Sequence, residues 1–116
     1  MRNFKNLQIW IRAIKISKDI YKLTEQFPAK EKYGLSSQIQ RAAVSIASNI
    51  AEGSSRKSEK DFARFLEIAI GSAFEVETQL TIANEIGYLN DDNFIEIQNE
   101  LIIIQKQINQ LITKLR

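Results

Sequence analysis

The stretch that decides the fold is LSSQIQRAAVSIASNIAEG, which runs from Leu35 to Gly53. Its apolar residues recur every three or four positions, a spacing that places them on one side of an α-helix; they are Leu35, Ile39, Ala42, Ile46 and Ile50. A second stripe on the same helix consists of Gln38, Arg41, Ser45, Ser48 and Glu52. Because a solvated stripe is usually rich in lysine and glutamate, the serines and neighbouring alanines indicate close approach of other helices. We therefore predict the central helix of a bundle.

The rest of the chain carries three more helical patterns, separated by short polar connections. Apolar residues at three- and four-residue spacing predict helices over about 6–27, 36–52, 59–86 and 92–115. Four helices with short connections predict an all-α fold, an antiparallel up-down-up-down four-helix bundle that occupies residues 1–116 as a single domain. The first and fourth helices carry more apolar surface than one seam requires, which predicts a homo-oligomer.

Residues with special backbone roles mark the predicted helix ends. Pro28 ends the first helix, and Gly53 is expected to be the C-cap of the second. The N-cap candidates are Ser36 or Ser37 for the second helix, Ser58 with Asp61 for the third, and Asn90, Asp91 or Asp92 for the fourth. Gly71 and Ser72 lie inside the third helix, where glycine costs about 1 kcal/mol. We expect a close helix crossing at that point.

The composition excludes several classes of function. The chain contains no cysteine and no histidine, so it lacks thiolate and imidazole groups for catalysis or metal binding. Glu75 and Glu77 lie on different helix faces and do not form a metal site by themselves. We expect no enzymatic activity, no cofactor and no metal. The chain shows no signal peptide and no apolar run of membrane-spanning length, so we expect a cytoplasmic protein without a membrane partner.

The net charge of +2 conceals a marked asymmetry along the chain. Residues 1–33 contain eight lysines and arginines against three acidic residues, whereas residues 67–100 contain no lysine or arginine. Such separation can steer a partner or order subunits. It can equally reflect complementary helix faces within one fold.

Two groups of cations are candidates for binding the backbone of RNA or DNA. One is a stripe on the first helix, formed by Lys5, Arg12, Lys15, Lys18 and Lys22, and the other is a cluster formed by Arg56, Lys57, Lys60 and Arg64. Contacts between several such side chains and phosphates give salt-dependent, sequence-independent affinity. Both groups also have the spacing of an ordinary solvated face. The alternative to nucleic-acid binding is a protein-interaction scaffold with a charged rim.

A third group of polar residues is interpreted as a structural network between helices two and three. It comprises Arg41, Ser45, Ser48, Asn49, Glu52, Ser72 and Glu75. Buried polar groups require hydrogen-bond partners, so such a network would set the helix register. We expect an ion pair between Arg41 and either Glu75 or Glu52.

The sequence resembles the bacterial four-helix-bundle proteins named for open reading frames in intervening sequences of 23S rRNA genes. The resemblance rests on LQIWIRA, FPAKEKYGL, SSQIQRAAVSIASNIAEGSSR, FARFLEIAIGSAFEVETQL and the IGYL corner. Ala47 is a departure, because the family commonly has proline there. The resemblance implies a ring-like homopentamer. It also implies kinship with accessory bundles of diversity-generating retroelements, which associate with reverse transcriptase and nucleic acid.

Overall fold

The computed structural model describes residues 2–116, which form four long α-helices. The helices are α1 (Gln8–Thr24), α2 (Leu35–Ser54), α3 (Glu59–Glu85) and α4 (Asp91–Leu115), with short 3-10 turns at Phe4–Asn6 and Ala29–Glu31. Consecutive helices contact each other, and α1 also contacts α4. The predicted all-α, antiparallel up-down-up-down bundle is therefore confirmed. No helix in this described part of the chain has the length and apolar character needed to cross a membrane.

The core runs along the bundle axis and is formed by the apolar stripes of all four helices. From α2 it takes Ile39, Ile46 and Ile50, which are completely buried. The other large, fully buried side chains are Ile16, Ile20, Phe62, Leu66, Val76, Leu80, Leu101, Ile104 and Ile108. Burying a side chain of this size contributes about 1.5–3 kcal/mol. The alignment of these stripes is thus the main force that holds the bundle together.

The predicted N-caps of α3 and α4 are confirmed. The Ser58 hydroxyl accepts a hydrogen bond from the Asp61 amide at 3.0 Å, and the Asn90 side-chain oxygen accepts one from the Asn93 amide at 2.8 Å. Each bond satisfies one amide that the first turn of a helix leaves free. Between these helices Gly87 has a φ of 89°, which is the left-handed conformation that glycine favours.

The start of α2 differs from the prediction of a Ser36 or Ser37 N-cap, because Gly34 occupies that position and Ser36 is buried inside the helix. Glu31 supplies the missing acceptor, since its carboxylate accepts hydrogen bonds from the Leu35 amide at 3.1 Å and the Tyr88 hydroxyl at 2.9 Å. These bonds, the amide bond foremost, lower the pKa of the Glu31 carboxyl, and the bond to Glu31 raises the pKa of Tyr88. Glu31 therefore ties the α1–α2 connection to the α3–α4 connection.

The first helix is shorter than the predicted range of 6–27, because α1 begins at Gln8 and ends at Thr24. Phe27 lies beyond the helix and is buried, with its ring centroid 5.6 Å from that of Tyr88. Proline disfavours helical backbone in the residue before it, so Pro28 frees Phe27 to turn into this contact. The sequence pattern marks Phe27 correctly as a core residue and incorrectly as a helical one.

Gly53 of α2 and Gly71 of α3 have roles that differ from the predicted ones. Gly53 is not the C-cap of α2, since the helix continues to Ser54 and Ser55 follows as the cap. Instead, a Cβ added at Gly53 would lie 2.6 Å from the Cβ of Phe65 and 3.0 Å from a ring carbon of Phe62. The close crossing expected at Gly71 and Ser72 is made by Ser72, which is buried and lies 2.9 Å from Ser45 of α2. Gly71 takes no part in it, since a Cβ at Gly71 would meet no atom within 4 Å. Close packing between α2 and α3 depends on Gly53.

This difference gives a matched pair of substitutions. We expect Gly53→Ala to destabilise the protein by about 1–3 kcal/mol, because the added methyl group overpacks the contact with α3. We expect Gly71→Ala to stabilise it by up to about 1 kcal/mol, because alanine has the higher helix propensity. Urea unfolding of both variants, with their masses first matched to wild type by light scattering, measures the two effects. Equal effects of the same sign would contradict this assignment of the glycines.

Candidate nucleic-acid interface

One end of the bundle collects cationic side chains from three separate parts of the chain. The α2–α3 connection lies there, and Arg2 donates hydrogen bonds to the carbonyl oxygens of Arg56 at 2.8 Å and Ser54 at 3.4 Å. The C-terminal Arg116 pairs with Glu67 of α3. We call this surface the basic end and define it by Arg2, Lys5, Arg56, Lys57, Lys60, Arg64, Lys114 and Arg116. The acidic residues of the same segments are fewer, namely Glu52, Glu59, Asp61 and Glu67, so eight cations stand against four carboxylates.

The predicted cluster at the α2–α3 connection forms the middle of the basic end. Its four members, Arg56, Lys57, Lys60 and Arg64, are all exposed. Within residues 2–116, the ion pairs are Arg12–Glu100, Lys15–Asp19, Lys15–Glu100 and Arg116–Glu67. The four cluster cations are therefore free of carboxylate partners in this part of the chain. Their charge is directed to solvent.

Two guanidinium groups of the basic end are held by aromatic rings. The Arg56 guanidinium carbon lies 4.6 Å from the ring centroid of Phe65, and that of Arg2 lies 4.6 Å from the centroid of Phe62. A cation over an aromatic face gains about 0.5–1 kcal/mol at an exposed site. The rings thus restrict both guanidinium groups before any ligand binds, which reduces the entropy lost on binding.

The predicted stripe on the first helix is divided by the structure. Arg12 turns towards α4, where its guanidinium contacts the Glu100 carboxylate at 2.9 Å and donates to the Gln107 side-chain oxygen at 3.2 Å. Lys15 lies 3.4 Å from Asp19 and 3.9 Å from Glu100. Lys5, Lys18 and Lys22 are exposed. Arg12 therefore contributes to the α1–α4 contact, whereas the three lysines remain accessible.

Part of the predicted polar network joins α2 to α3. The Ser45 and Ser72 hydroxyl oxygens are 2.9 Å apart, and the Asn49 amide donates to both the carbonyl and the hydroxyl oxygen of Ser45 at 2.8 and 3.0 Å. Gln79 donates to the Glu75 carboxylate at 3.2 Å along α3. The contacts of Ser45, Asn49 and Ser72 lie near the middle of the two helices and fix their register, whereas Glu75 is exposed and bonds only within α3, so it lies outside this network.

The remaining members of the predicted network lie outside it. Arg41, Ser48 and Glu52 are exposed. The expected ion pair between Arg41 and Glu75 or Glu52 is absent among the ion pairs of residues 2–116. The reason is geometric, because the polar stripe of α2 is wider than its contact with α3 and its outer part faces solvent.

Two features of the structure are not predicted by the sequence pattern, one at the basic end and one between α3 and α4. The predicted cluster omits Arg2, Lys114 and Arg116, although an up-down-up-down bundle necessarily brings both chain ends beside the α2–α3 connection. The pattern also omits Glu77, whose carboxylate accepts hydrogen bonds from Gln98 at 3.5 Å and Gln105 at 2.9 Å on α4. The described residues contain no cluster of three or more potential metal ligands.

Comparison with known proteins places the chain in one family. Residues 5–110 match the family model described as 23S rRNA-intervening sequence protein. A solved structure from Bacteroides thetaiotaomicron VPI-5482, described as a protein with unknown function from the S23 ribosomal protein family, is similar with a TM-score of 0.81 and 26% sequence identity. The alignment covers 90% of this chain and 97% of that chain. No curated protein matches. The family model spans the four helices almost completely, and the chain belongs to the 23S rRNA-intervening sequence proteins.

Proposed function

We propose that this protein is a non-enzymatic, homo-oligomeric bundle that binds the phosphate backbone of RNA or DNA through its basic end. The observation that carries the proposal is the cluster of exposed cations at Arg56, Lys57, Lys60 and Arg64, which lack carboxylate partners within residues 2–116. A polyanion that contacts such a cluster releases its condensed counterions, and this release provides sequence-independent affinity.

The position of the cluster adds to its attraction for anions. It surrounds the N-terminus of α3, where the helix dipole places a partial positive charge. Glu59 and Asp61 in the first turn reduce that potential, but the cations of the basic end outnumber its carboxylates. Backbone binding of this kind suits an accessory subunit that holds nucleic acid for a processing partner such as a reverse transcriptase.

The non-enzymatic part of the proposal rests on chemistry. The chain has no histidine or cysteine, so a serine nucleophile lacks its usual base and no thiolate is available. A protein-interaction scaffold remains the alternative function, and it is favoured by the exposed apolar side chains described below.

The basic end can be tested with a charge-matched pair of double variants. We expect Lys57→Gln with Lys60→Gln to weaken binding to a DNA duplex and to reduce the slope of log affinity against log salt by roughly 2, since each lost phosphate contact removes about 0.9. Lys22→Gln with Lys30→Gln removes the same charge from exposed positions at the opposite end of the bundle. Fluorescence anisotropy at several salt concentrations measures both slopes. If the two pairs change the slope equally, net charge and not the basic end governs binding.

Self-association is supported by two outer helix faces of different character. On α3, Ile68, Phe74 and Ile82 are each about half exposed around the bare Gly71, and residues 67–100 supply only negative charge. On α1, Ile11 and Ile14 are exposed beside Lys15 and Lys18. Apolar surface alternates with acidic residues on one face and basic residues on the other, so the α1 face of one copy complements the α3 face of the next.

Contact between two different faces has a consequence for assembly. Such heterologous contacts repeat around a ring when the rotation closes, which agrees with the ring-like homopentamer that the family resemblance implies. The sequence pattern assigns the surplus apolar surface to α1 and α4. Exposed apolar side chains are present on α1 and α4, where Ile95 and Ile103 are exposed and the flanking Ile102 and Ile112 are partly or wholly buried. Those of α3 add a face that the sequence pattern did not single out.

A mixing experiment tests this contact. We expect Ile11→Glu on α1 and Ile82→Glu on α3 each to dissociate the oligomer, since either change places a carboxylate in one half of every contact. Because each variant keeps the other face intact, an equimolar mixture should form a one-to-one dimer in multi-angle light scattering. Ile95→Glu on α4, at a position 53% exposed, is the control and should leave the mass unchanged. A monomeric wild type, or a mixture that stays monomeric, would refute the contact.

A further inference from the structure

At the end of the bundle opposite the basic end, two tyrosines line a groove. It lies between the end of α1 and the start of α2 and has a volume of about 510 Å³. Tyr21 is 47% exposed and Tyr33 is 89% exposed, and both line the groove. Aromatic rings that stay in water contribute little to the stability of the fold, because the stabilising free energy comes from burying them. The exposed ring surface of these two tyrosines is thus accessible to a ligand.

A cation stands beside the more exposed ring. The Lys32 ammonium nitrogen lies 5.5 Å from the ring centroid of Tyr33, and Lys32 takes part in none of the ion pairs found within residues 2–116. Glu25 also lines the groove. The neighbouring Glu31 carboxylate is engaged by the Leu35 amide and the Tyr88 hydroxyl. The Lys32 ammonium group therefore lies over one face of the Tyr33 ring, and the opposite face of that ring remains open.

The groove also offers hydrogen-bonding groups. The Gln40 side-chain amide donates to the Thr24 hydroxyl oxygen at 2.9 Å, and the Thr24 hydroxyl donates to the Ile20 carbonyl at 2.9 Å. These bonds orient Gln40, while its side-chain oxygen and the Ser37 hydroxyl have no hydrogen-bond partner among residues 2–116. An acceptor and a hydroxyl held in this way can bond the polar edge of a planar ligand.

We propose that this groove binds a nucleotide, with its base stacked on Tyr33 and its phosphate at Lys32. A planar aromatic ring, a polar edge and an anion together match the two tyrosines, the Gln40–Ser37 pair and the ammonium group. Aromatic stacking of this kind accepts any base. The ligand is either a free nucleotide or one residue of a single strand. The site lies outside the basic end and extends the proposed function from the backbone to the base.

The polar lining favours a nucleotide over the other occupants of a surface groove. Thr24, Glu25, Lys32, Ser36, Ser37 and Gln40 all contribute to it. Glu25 and Lys32 take part in no ion pair within residues 2–116, so an amphipathic helix from a partner that covered them with its apolar face would bury unpaired charge, which is costly. A nucleobase instead presents donors and acceptors around its edge.

Titration followed by NMR of the full-length protein tests the site. The probes are adenosine monophosphate, ribose 5-phosphate, and a short single strand with and without bases. We expect the two probes that carry bases to shift the resonances of Tyr33 and Gln40, and the two that lack bases to bind at least several-fold more weakly. Equal affinity per base for adenosine monophosphate and for the strand identifies a free nucleotide as sufficient, whereas tighter binding per base of the strand identifies a single-strand site.

Substitutions at Tyr33 separate stacking from structure. Tyr33→Ala should weaken the base-dependent binding by between about fivefold and about 150-fold, whereas Tyr33→Phe should retain it. Duplex binding and its salt slope should be unchanged in both, because the basic end is intact. Unaltered nucleotide affinity in Tyr33→Ala would overturn the proposal. A changed oligomeric mass would also overturn it, by placing Tyr33 in a subunit contact. If the wild-type protein did not bind duplexes at all, the proposed function would be overturned, whereas the nucleotide site would be unaffected by that result.

Discussion

The close approach of α2 to α3 is the constraint on which the other features depend. Gly53 allows the end of α2 to lie directly against Phe62 and Phe65, and the Ser45–Ser72 contact fixes the register halfway along the two helices. With spacing and register set, the short α2–α3 connection has one position in space. The cations that follow Gly53 are therefore presented at a defined end of the bundle.

The same two phenylalanines serve both packing and charge. Phe62 is almost completely buried, and its ring also lies under the Arg2 guanidinium, while Phe65 lies under that of Arg56. A substitution that moves these rings would alter both the α2–α3 contact and the placement of two arginines. The basic end is thus built on the core and is not a flexible appendage to it.

The sequence was sufficient for the architecture because apolar periodicity directly encodes which helix faces are buried. It was insufficient where the role of a residue depends on a distant neighbour. Gly53 and Gly71 look alike in the sequence, and only the position of Phe65 distinguishes them. The N-cap of α2 depends on Glu31, a residue placed by a 3-10 turn that leaves no periodic signal. In the sequence Arg12 has the same spacing as the lysines of the α1 stripe, but in the structure its side chain turns towards Glu100 of α4.

The proposed surfaces have different centres on the molecule, and the α3 face adjoins the basic end at Arg64, Glu67 and Ile68. The basic end lies at the α2–α3 connection, the self-association faces lie along α1 and α3, and the tyrosine groove lies beyond the C-terminal end of α1. An oligomer formed through the helix faces would leave the basic end open and repeat it once per subunit. Repetition raises avidity for a polyanion without any new contact, which is how a small bundle with modest charge can hold nucleic acid.

The salt dependence of duplex binding by the wild-type oligomer tests the basic end most directly. Fluorescent RNA and DNA duplexes would be titrated at about 50 and about 200 mM salt, with the mass of the protein established by light scattering. If the assembled basic ends make some 6–10 phosphate contacts, affinity should fall by roughly 10³–10⁵ over this range. Absence of binding at the lower salt concentration, or binding that does not respond to salt, would contradict the account and favour a protein partner.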